Sequence, residues 1–367
     1  MLTNREQQVL SLIRKDPMLS QQAIAERLGI SRSAAGGHIM NVTNKGYIKG
    51  RGYVVSDAPF VNVIGGANID IHGKSLQELR RNDSNPGAVH ISAGGVARNI
   101  AENLARLGVD CRLISAIGND HHGQMLKRLS RDAGIDMQYV HEIAQAPTST
   151  YLSVLDDTGD MQVAIADMSI IDHLGADRLR PQQAMLSQSA LNIVDANLPD
   201  DALAWLTATF ADVPLFADTV STAKAPRLKP YLSSIHTLKA SAIEAEALTG
   251  MQARTQPRLR KLAACLHAEG VERVFITRGE QGVFYSTAGA EGAEKLRRSK
   301  RNVHNAGGAG DAFLAGLAYA WLKDWPLHKT LRFALAAADI TLSHPATSNP
   351  GLSLTAVNRT MKAHHAR

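Results

Sequence analysis

The stretch that most limits what this chain can fold into is Asn305-Ala306-Gly307-Gly308-Ala309-Gly310-Asp311, which leads directly into Ala312-Phe313-Leu314-Ala315-Gly316-Leu317-Ala318-Tyr319-Ala320-Trp321-Leu322. The second half has no Pro and is rich in Ala and Leu, so it reads as a buried helix. The first half is a turn whose three glycines and two alanines leave backbone N–H groups open to close approach. A glycine turn that opens a helix is a prepared anion site, because the unpaired N–H groups and the helix dipole point the same way. A carboxylate at that mouth makes sense if it takes a proton from a hydroxyl that attacks phosphorus. The alternative is a plain Gly-rich turn with Asp311 as its N-cap.

At 367 residues, 44% of them hydrophobic, the chain suits two domains with a sizeable core. Ala312 to Leu322 is too short to span a bilayer, and Met1-Leu2-Thr3-Asn4-Arg5-Glu6 lacks the form of a signal sequence. Cys111 and Cys265 form no C-x-x-C pair and read as free thiols, as in a reducing cytoplasm. A cytoplasmic protein with no membrane partner is expected. The net charge of +6 is uneven: residues 1–57 hold eight basic and four acidic side chains. A basic unit on a near-neutral body suggests a nucleic-acid-binding module.

Within 1–57, Thr3-Asn4-Arg5-Glu6 fits a capping box ahead of a first helix that Asp16-Pro17 ends. A second helix runs from about Ser20 to Leu28, and Ser31 caps a third that reaches Lys45-Gly46. Tyr47 to Val55 alternates around glycines like a small hairpin. Three short helices and a basic hairpin resemble the winged helix-turn-helix fold of bacterial regulators. That resemblance implies DNA as a partner, with Ser31, Arg32, Ser33 and His38 toward bases and Lys49 and Arg51 on phosphates. The other reading is a helical protein-interaction module. Gly36-Gly37 departs from the pattern at a cost of about 1 kcal/mol per glycine.

Ser56-Asp57-Ala58-Pro59 marks the boundary of a second domain, 58–367. Strand-like runs at Phe60–Gly65, Arg112–Ile117, Leu191–Val194, Pro214–Ala217 and Arg273–Thr277 alternate with helical ones at 96–107, 123–133, 201–210 and 259–269. The alternation predicts an α/β domain, a mostly parallel sheet covered by helices on both faces. Residues 148–155 and 161–166, joined by an Asp- and Gly-rich turn, instead predict an antiparallel flap outside that sheet, suited to a lid.

Four further segments belong with the glycine turn. Gly65-Gly66-Ala67-Asn68-Ile69-Asp70 puts an amide and a carboxylate after the first strand, where they suit the vicinal hydroxyls of a sugar. Ser92-Ala93-Gly94-Gly95-Val96-Ala97-Arg98-Asn99 sets a Gly pair before a helix. Lys239-Ala240-Ser241-Ala242-Ile243-Glu244 carries an acid able to organise Mg²⁺ through water. Thr277-Arg278-Gly279-Glu280-Gln281-Gly282 is a turn after a strand.

In order and spacing, these segments resemble the ribokinase-like (PfkB-type) carbohydrate kinase family across 60–367. The resemblance implies Asp311 as the base that deprotonates the acceptor, with the backbone of Gly308, Ala309 and Gly310 as the anion hole. It implies the sugar on Asn68, Asp70, Gly94, Gly95 and Asn99, and ATP near Thr277, Gly279, Gly282 and Asn305. It further implies Mg²⁺ organised through Glu244, a monovalent cation such as K⁺ as an additional candidate, and a homodimer, often through lid strands. Within the family, Asp83-Ser84-Asn85-Pro86-Gly87, Thr148-Ser149-Thr150-Tyr151-Leu152, Asp195-Ala196-Asn197 and Ile235-His236-Thr237-Leu238-Lys239 look most like bacterial pseudouridine kinases. A nucleoside phosphorylated on its 5′-hydroxyl is then the implied acceptor. Thr148, Ser149 and Thr150 would offer small hydroxyls to a pyrimidine's carbonyl and N–H edges, or would be ordinary strand residues.

Three positions depart from the pattern: Asn305 stands where Asp is usual, Ser241 where Asn is usual, and Ala166 where related pseudouridine kinases carry Asn. Kinases for another nucleoside or for a free sugar such as ribose, and a regulator whose kinase-like body only senses a nucleoside, are the competing functions. His121-His122 is expected in a solvated loop, the run from Lys295 to Arg301 in a polar loop, and His236 and His304 as structural histidines.

Overall fold

The computed structural model of the chain describes residues 2–49, 59–295 and 307–365. Its centre is an eight-stranded sheet in the order Ala290–Glu294, Val283–Thr287, Arg273–Thr277, Thr237–Ser241, Leu215–Asp218, Leu191–Asp195, Phe60–Ile64, Asp110–Ile114. From Arg273–Thr277 to Asp110–Ile114 all neighbours pair in parallel; the other two strands join antiparallel.

Side chains alternate across the strands, and both sets are apolar, so both faces must be covered. On one face Val61, Val63, Ile193, Phe216 and Phe275 pack against Ile100, Leu104, Phe313 and Leu317 from the helices Val96–Arg106 and Ala309–Leu322. On the other, Ile64, Val194, Ala217, Leu238 and Ile276 meet Leu203, Leu206, Leu248 and Leu259. Two helices on one face therefore carry Asn99 and Asp311 on their first turns, at the end of the sheet where open α/β folds hold ligands.

The flap is larger than the sequence suggests. Its hairpin, Thr150–Leu155 with Met161–Asp167, is half of a four-stranded sheet completed by Asn68–Ser75 and Gly87–Gly94. Asn68 and Asp70 thus begin a lid strand. Strand register sorts the lid's side chains: Asp70 lies opposite Ser92 and Tyr151, while Ile71 lies opposite Ile91 and Leu152. One face is polar and the other apolar.

Two local expectations change. The run Arg112–Ile117 divides into Asp110–Ile114 and Ala116–Gly118, the second pairing with His141–Ile143, and Ser115 at the break donates to the Gly65 carbonyl at 2.7 Å. His121 and His122 open the helix His121–Asp132, because Asp120 caps it by accepting from Gly123 N–H at 2.7 Å.

The amino-terminal helices are Asn4–Lys15, Gln21–Leu28 and Arg32–Asn44, around a core of Val9, Leu10, Ile13, Ile24, Ile39 and Val42. The capping box forms as expected, and Gly29 ends the second helix in the left-handed region at φ 62°. The wing from Gly50 on, with Arg51, lies outside the described residues, as do Asn305 and His304.

Candidate active site

Asp195, fully buried at the end of its strand, fastens the first turn of the site. One of its oxygens accepts from Gly66 N–H (2.9 Å) and Ala97 N–H (3.0 Å), the other from Asn197 N–H (2.9 Å). That ties the Gly65-Gly66 turn to the start of the helix Val96–Arg106. Gly95, at φ 98°, admits no side chain, since a Cβ would stand 2.5 Å from Ala67 Cα. Asn68, Asp70, Gly94 and Asn99 come together around this junction.

Asp70 is buried and accepts from Asn68 Nδ2 at 2.6 Å and from Thr347 Oγ1 at 3.5 Å. Burial raises its pKa, against the pull of Asn68, His72, Arg98 and Thr347. Asn99 donates from Nδ2 to Asp311 Oδ2 at 2.9 Å. Its Oδ1 accepts from Arg98 and Thr347, both at 3.3 Å, which fixes which end of the amide faces Asp311.

Gly308, at φ 76°, is the N-cap of the helix Ala309–Leu322, and among the described residues no side chain caps that helix. Asp311 is therefore the third helical residue and not the cap. The leading N–H groups are left for a ligand, and Asp311 stands beside them at 6% exposure. Below lies Lys239 Nζ, which would be 2.5 Å from a Cβ at Gly310 and pairs with Asp218 Oδ2 at 3.0 Å. Burial works against the Lys239 charge, but Asp218, Glu244 and Asp311 outweigh it and hold the ammonium above its ordinary range. For Asp311, burial first and Asp218 second push the pKa up to about 7, while Lys239 and Asn99 oppose the rise. A carboxyl poised there can act as a base at neutral pH.

An open pocket of about 490 Å³ adjoins this cluster, lined by Ser241, Ile243, Arg254, Thr277, Arg278 and Gly279. It has the polarity and size for part of a nucleotide. Gly282 turns the chain behind it at φ 80° and does not line it. Glu244 closes the capping box of the helix Ala242–Thr249: its Oε2 accepts from Ser241 N–H (2.8 Å) and Thr219 Oγ1 (2.7 Å). Burial raises its pKa, but Lys239 and these donors together bring it below the usual value. One oxygen is left for a hydrated cation. Among the described residues no cluster of three or more His, Cys, Asp or Glu could hold a metal alone. Mg²⁺ therefore fits here only with a nucleotide's phosphates as ligands.

The lid corrects the expectation for two threonines. Thr148 donates to Asp120 Oδ1 (2.6 Å) and accepts from Gly118 N–H (2.9 Å), so its hydroxyl is committed. Thr150 pairs in register with Ile69 and shares the apolar face, away from Asp70, because alternate strand residues face opposite ways. The Asp70 face carries Ser149, Ser92 and His72 instead. Ser149 Oγ, Ser92 Oγ and His72 Nε2 are buried without a hydrogen-bond partner among the described residues.

Lys239, Asp195 and Thr347 were not assigned a role from the sequence. For Lys239 and Asp195 there was a signal, a charge inside an otherwise apolar strand; Thr347 lies in a loop with none. In the amino-terminal module, Ser31 Oγ accepts from Ala34 N–H at 3.1 Å as a helix cap, and Arg32 and Ser33 are exposed on the first turn, with His38 half-buried. Lys49, expected on phosphates, is instead ion-paired with Asp110 of the sheet's edge strand.

The pfkB family carbohydrate kinase model matches residues 58–353, and the winged helix-turn-helix DNA-binding model matches residues 2–49. The chain is 36% identical over 355 residues to the uncharacterized sugar kinase YeiI of Escherichia coli, covering 96% of this chain and 97% of that one. It is 39% identical over 295 residues to the E. coli pseudouridine kinase, covering 80% of this chain and 94% of that one. Arabidopsis thaliana ribokinase, solved with ribose and ATP, superposes at a TM-score of 0.74 with 22% identity, over 83% of this chain and 99% of that one. Among the described residues no helix is long and apolar enough to cross a membrane. The chain belongs to the pfkB family of carbohydrate kinases, with a winged helix-turn-helix module ahead of the kinase domain.

Proposed function

We propose that this kinase transfers the γ-phosphoryl group of ATP to the 5′-hydroxyl of a nucleoside, with pseudouridine the foremost acceptor. The carrying observation is Asp311, a buried carboxyl poised near neutrality beside an uncapped helix N-terminus. The ribose hydroxyls would rest on Asp70, held by Asn68 and Thr347, with Asn99 alongside. Asp311 accepts the 5′-OH proton as the oxygen attacks phosphorus and the bond to the β-phosphate oxygen breaks. The Gly308–Gly310 backbone meets the charge on the transferred group, and Lys239 beneath it adds a fixed positive charge. Mg²⁺, when bound, neutralises phosphate charge, and Glu244 would orient its water shell.

A nucleoside is favoured over a free sugar by the unpaired Ser149, Ser92 and His72 atoms on the Asp70 face of the lid, since ribose alone presents no flat edge of C=O and N–H groups to them. The apolar lid face supports the homodimer: Val89, Ile91, Val163 and Ile165 are 42–70% exposed on it, an arrangement that a second copy would cover. The exposed first turn of the third helix supports DNA as the partner of the module.

Three outcomes check these assignments. Asp311→Asn should cut kcat by at least about 10²-fold while nucleoside binding by calorimetry persists; near-normal turnover refutes the base. Ser149→Ala should raise KM for pseudouridine roughly three- to tenfold, the worth of one hydrogen bond, and leave ribose unchanged. Equal effects on both acceptors would remove the base contact, and wild-type indifference to pseudouridine would remove the acceptor. Ile165→Asp should move the protein from dimer to monomer in sedimentation velocity, and a monomeric wild type would contradict the lid interface.

A further inference from the structure

The winged-helix module is seated against the edge strand Asp110–Ile114 by two polar contacts. Arg112, fully buried, donates from Nη2 to the Gly46 carbonyl at 2.5 Å. Its guanidinium lies 3.4 Å from the centroid of the Phe60 ring, which flattens it against the kinase core. Lys49 pairs with Asp110 Oδ1, two residues before Arg112 and on the same side of the strand. The fit is close: Gly46 is at φ 78°, and any Cβ there would overlap the Arg112 guanidinium.

The seat is also incompletely satisfied. Arg112 Nε and Nη1 and Asp110 Oδ2 are buried without hydrogen-bond partners among the described residues. Buried donors left unpaired oppose an interface, so this one is held by few contacts against a standing cost. Lys49 stands just before the wing, where a winged helix meets the DNA backbone. One ammonium group cannot pair closely with Asp110 and neutralise a phosphate together.

We propose that the Asp110–Ile114 edge is a docking surface for the chain's own winged-helix module, and that Asp110 and a DNA phosphate compete for Lys49. The kinase body then restrains DNA binding through a decoy carboxylate, and the module reads DNA at full strength only once this pair opens. The proposal rests on the module being a DNA reader. The other titratable or charged groups facing this seat are Arg112 and, more distantly, Tyr139 and Asp136, which flank the same strand.

The test uses the full-length protein, the near-isosteric Asp110→Asn and Lys49→Met. Binding to a random-sequence duplex DNA is followed across a salt series, and hydrogen exchange is followed at residues 45–49. Asp110→Asn should speed exchange at 45–49, tighten DNA binding several-fold, and steepen the salt slope by about 0.9 per module, one added phosphate contact. Lys49→Met should speed the same exchange and lose that added slope when combined with Asp110→Asn. Acceptor phosphorylation should be unchanged in both. Asp110→Asn binding DNA no more tightly than wild type overturns the competition. Faster exchange with no DNA binding by any form overturns it as well, and assigns the failure to the DNA reading. Unchanged exchange in both variants overturns the docking contact itself.

Discussion

The structure depends on keeping a carboxylate at position 311 where little water reaches it. Burial alone would hold the group neutral, and Asp218, with Asp195 beyond it, adds to that pressure. Lys239, the Asn99 amide and the positive end of the helix pull the other way. These opposed forces leave the carboxyl near the midpoint of its titration at neutral pH. Each contributor sits on a different element, so the balance exists only when the sheet, the two helices and the 347–348 loop are assembled.

That assembly explains several residues set behind the carboxyl. Asp195 sets the spacing between the Gly66 turn and the helix that carries Asn99. Arg98, buried against Glu102 and Ser348, fixes the orientation of the Asn99 amide. Lys239 belongs to the sheet, yet its ammonium lies under Gly310 and its charge is felt at Asp311. The lid is sorted in the same way: its strands present polar atoms on the Asp70 face and branched apolar side chains on the other.

Much of the fold was legible because buried parallel strands and amphipathic helices leave distinct periodicities. Arg273–Thr277 was placed to the residue, and the three amino-terminal helices follow their Ser and Thr caps. The glycine turns could be read because their backbone demands are local. Long-range pairing was not legible. The parallel partnership of Asn68–Ser75 with Thr150–Leu155 joins segments some eighty residues apart, and it alone decides that Ser149 and not Thr150 shares the Asp70 face. Glu244 shows the reverse case, an acid read as a metal organiser that also serves as a helix cap. The pairing of Lys49 with Asp110 had no local signal, since it joins two domains.

The most direct measure of the central claim is the pH dependence of kcat/KM for the acceptor, taken with ATP and Mg²⁺ saturating. A base must be ionised to accept a proton, so a raised carboxyl pKa makes activity fall as pH drops. A base at Asp311 gives a plateau above neutrality and an acid limb falling about tenfold per unit below an apparent pKa near 7. Activity that stayed level down to the ordinary range of an aspartate, near pH 4, would contradict it.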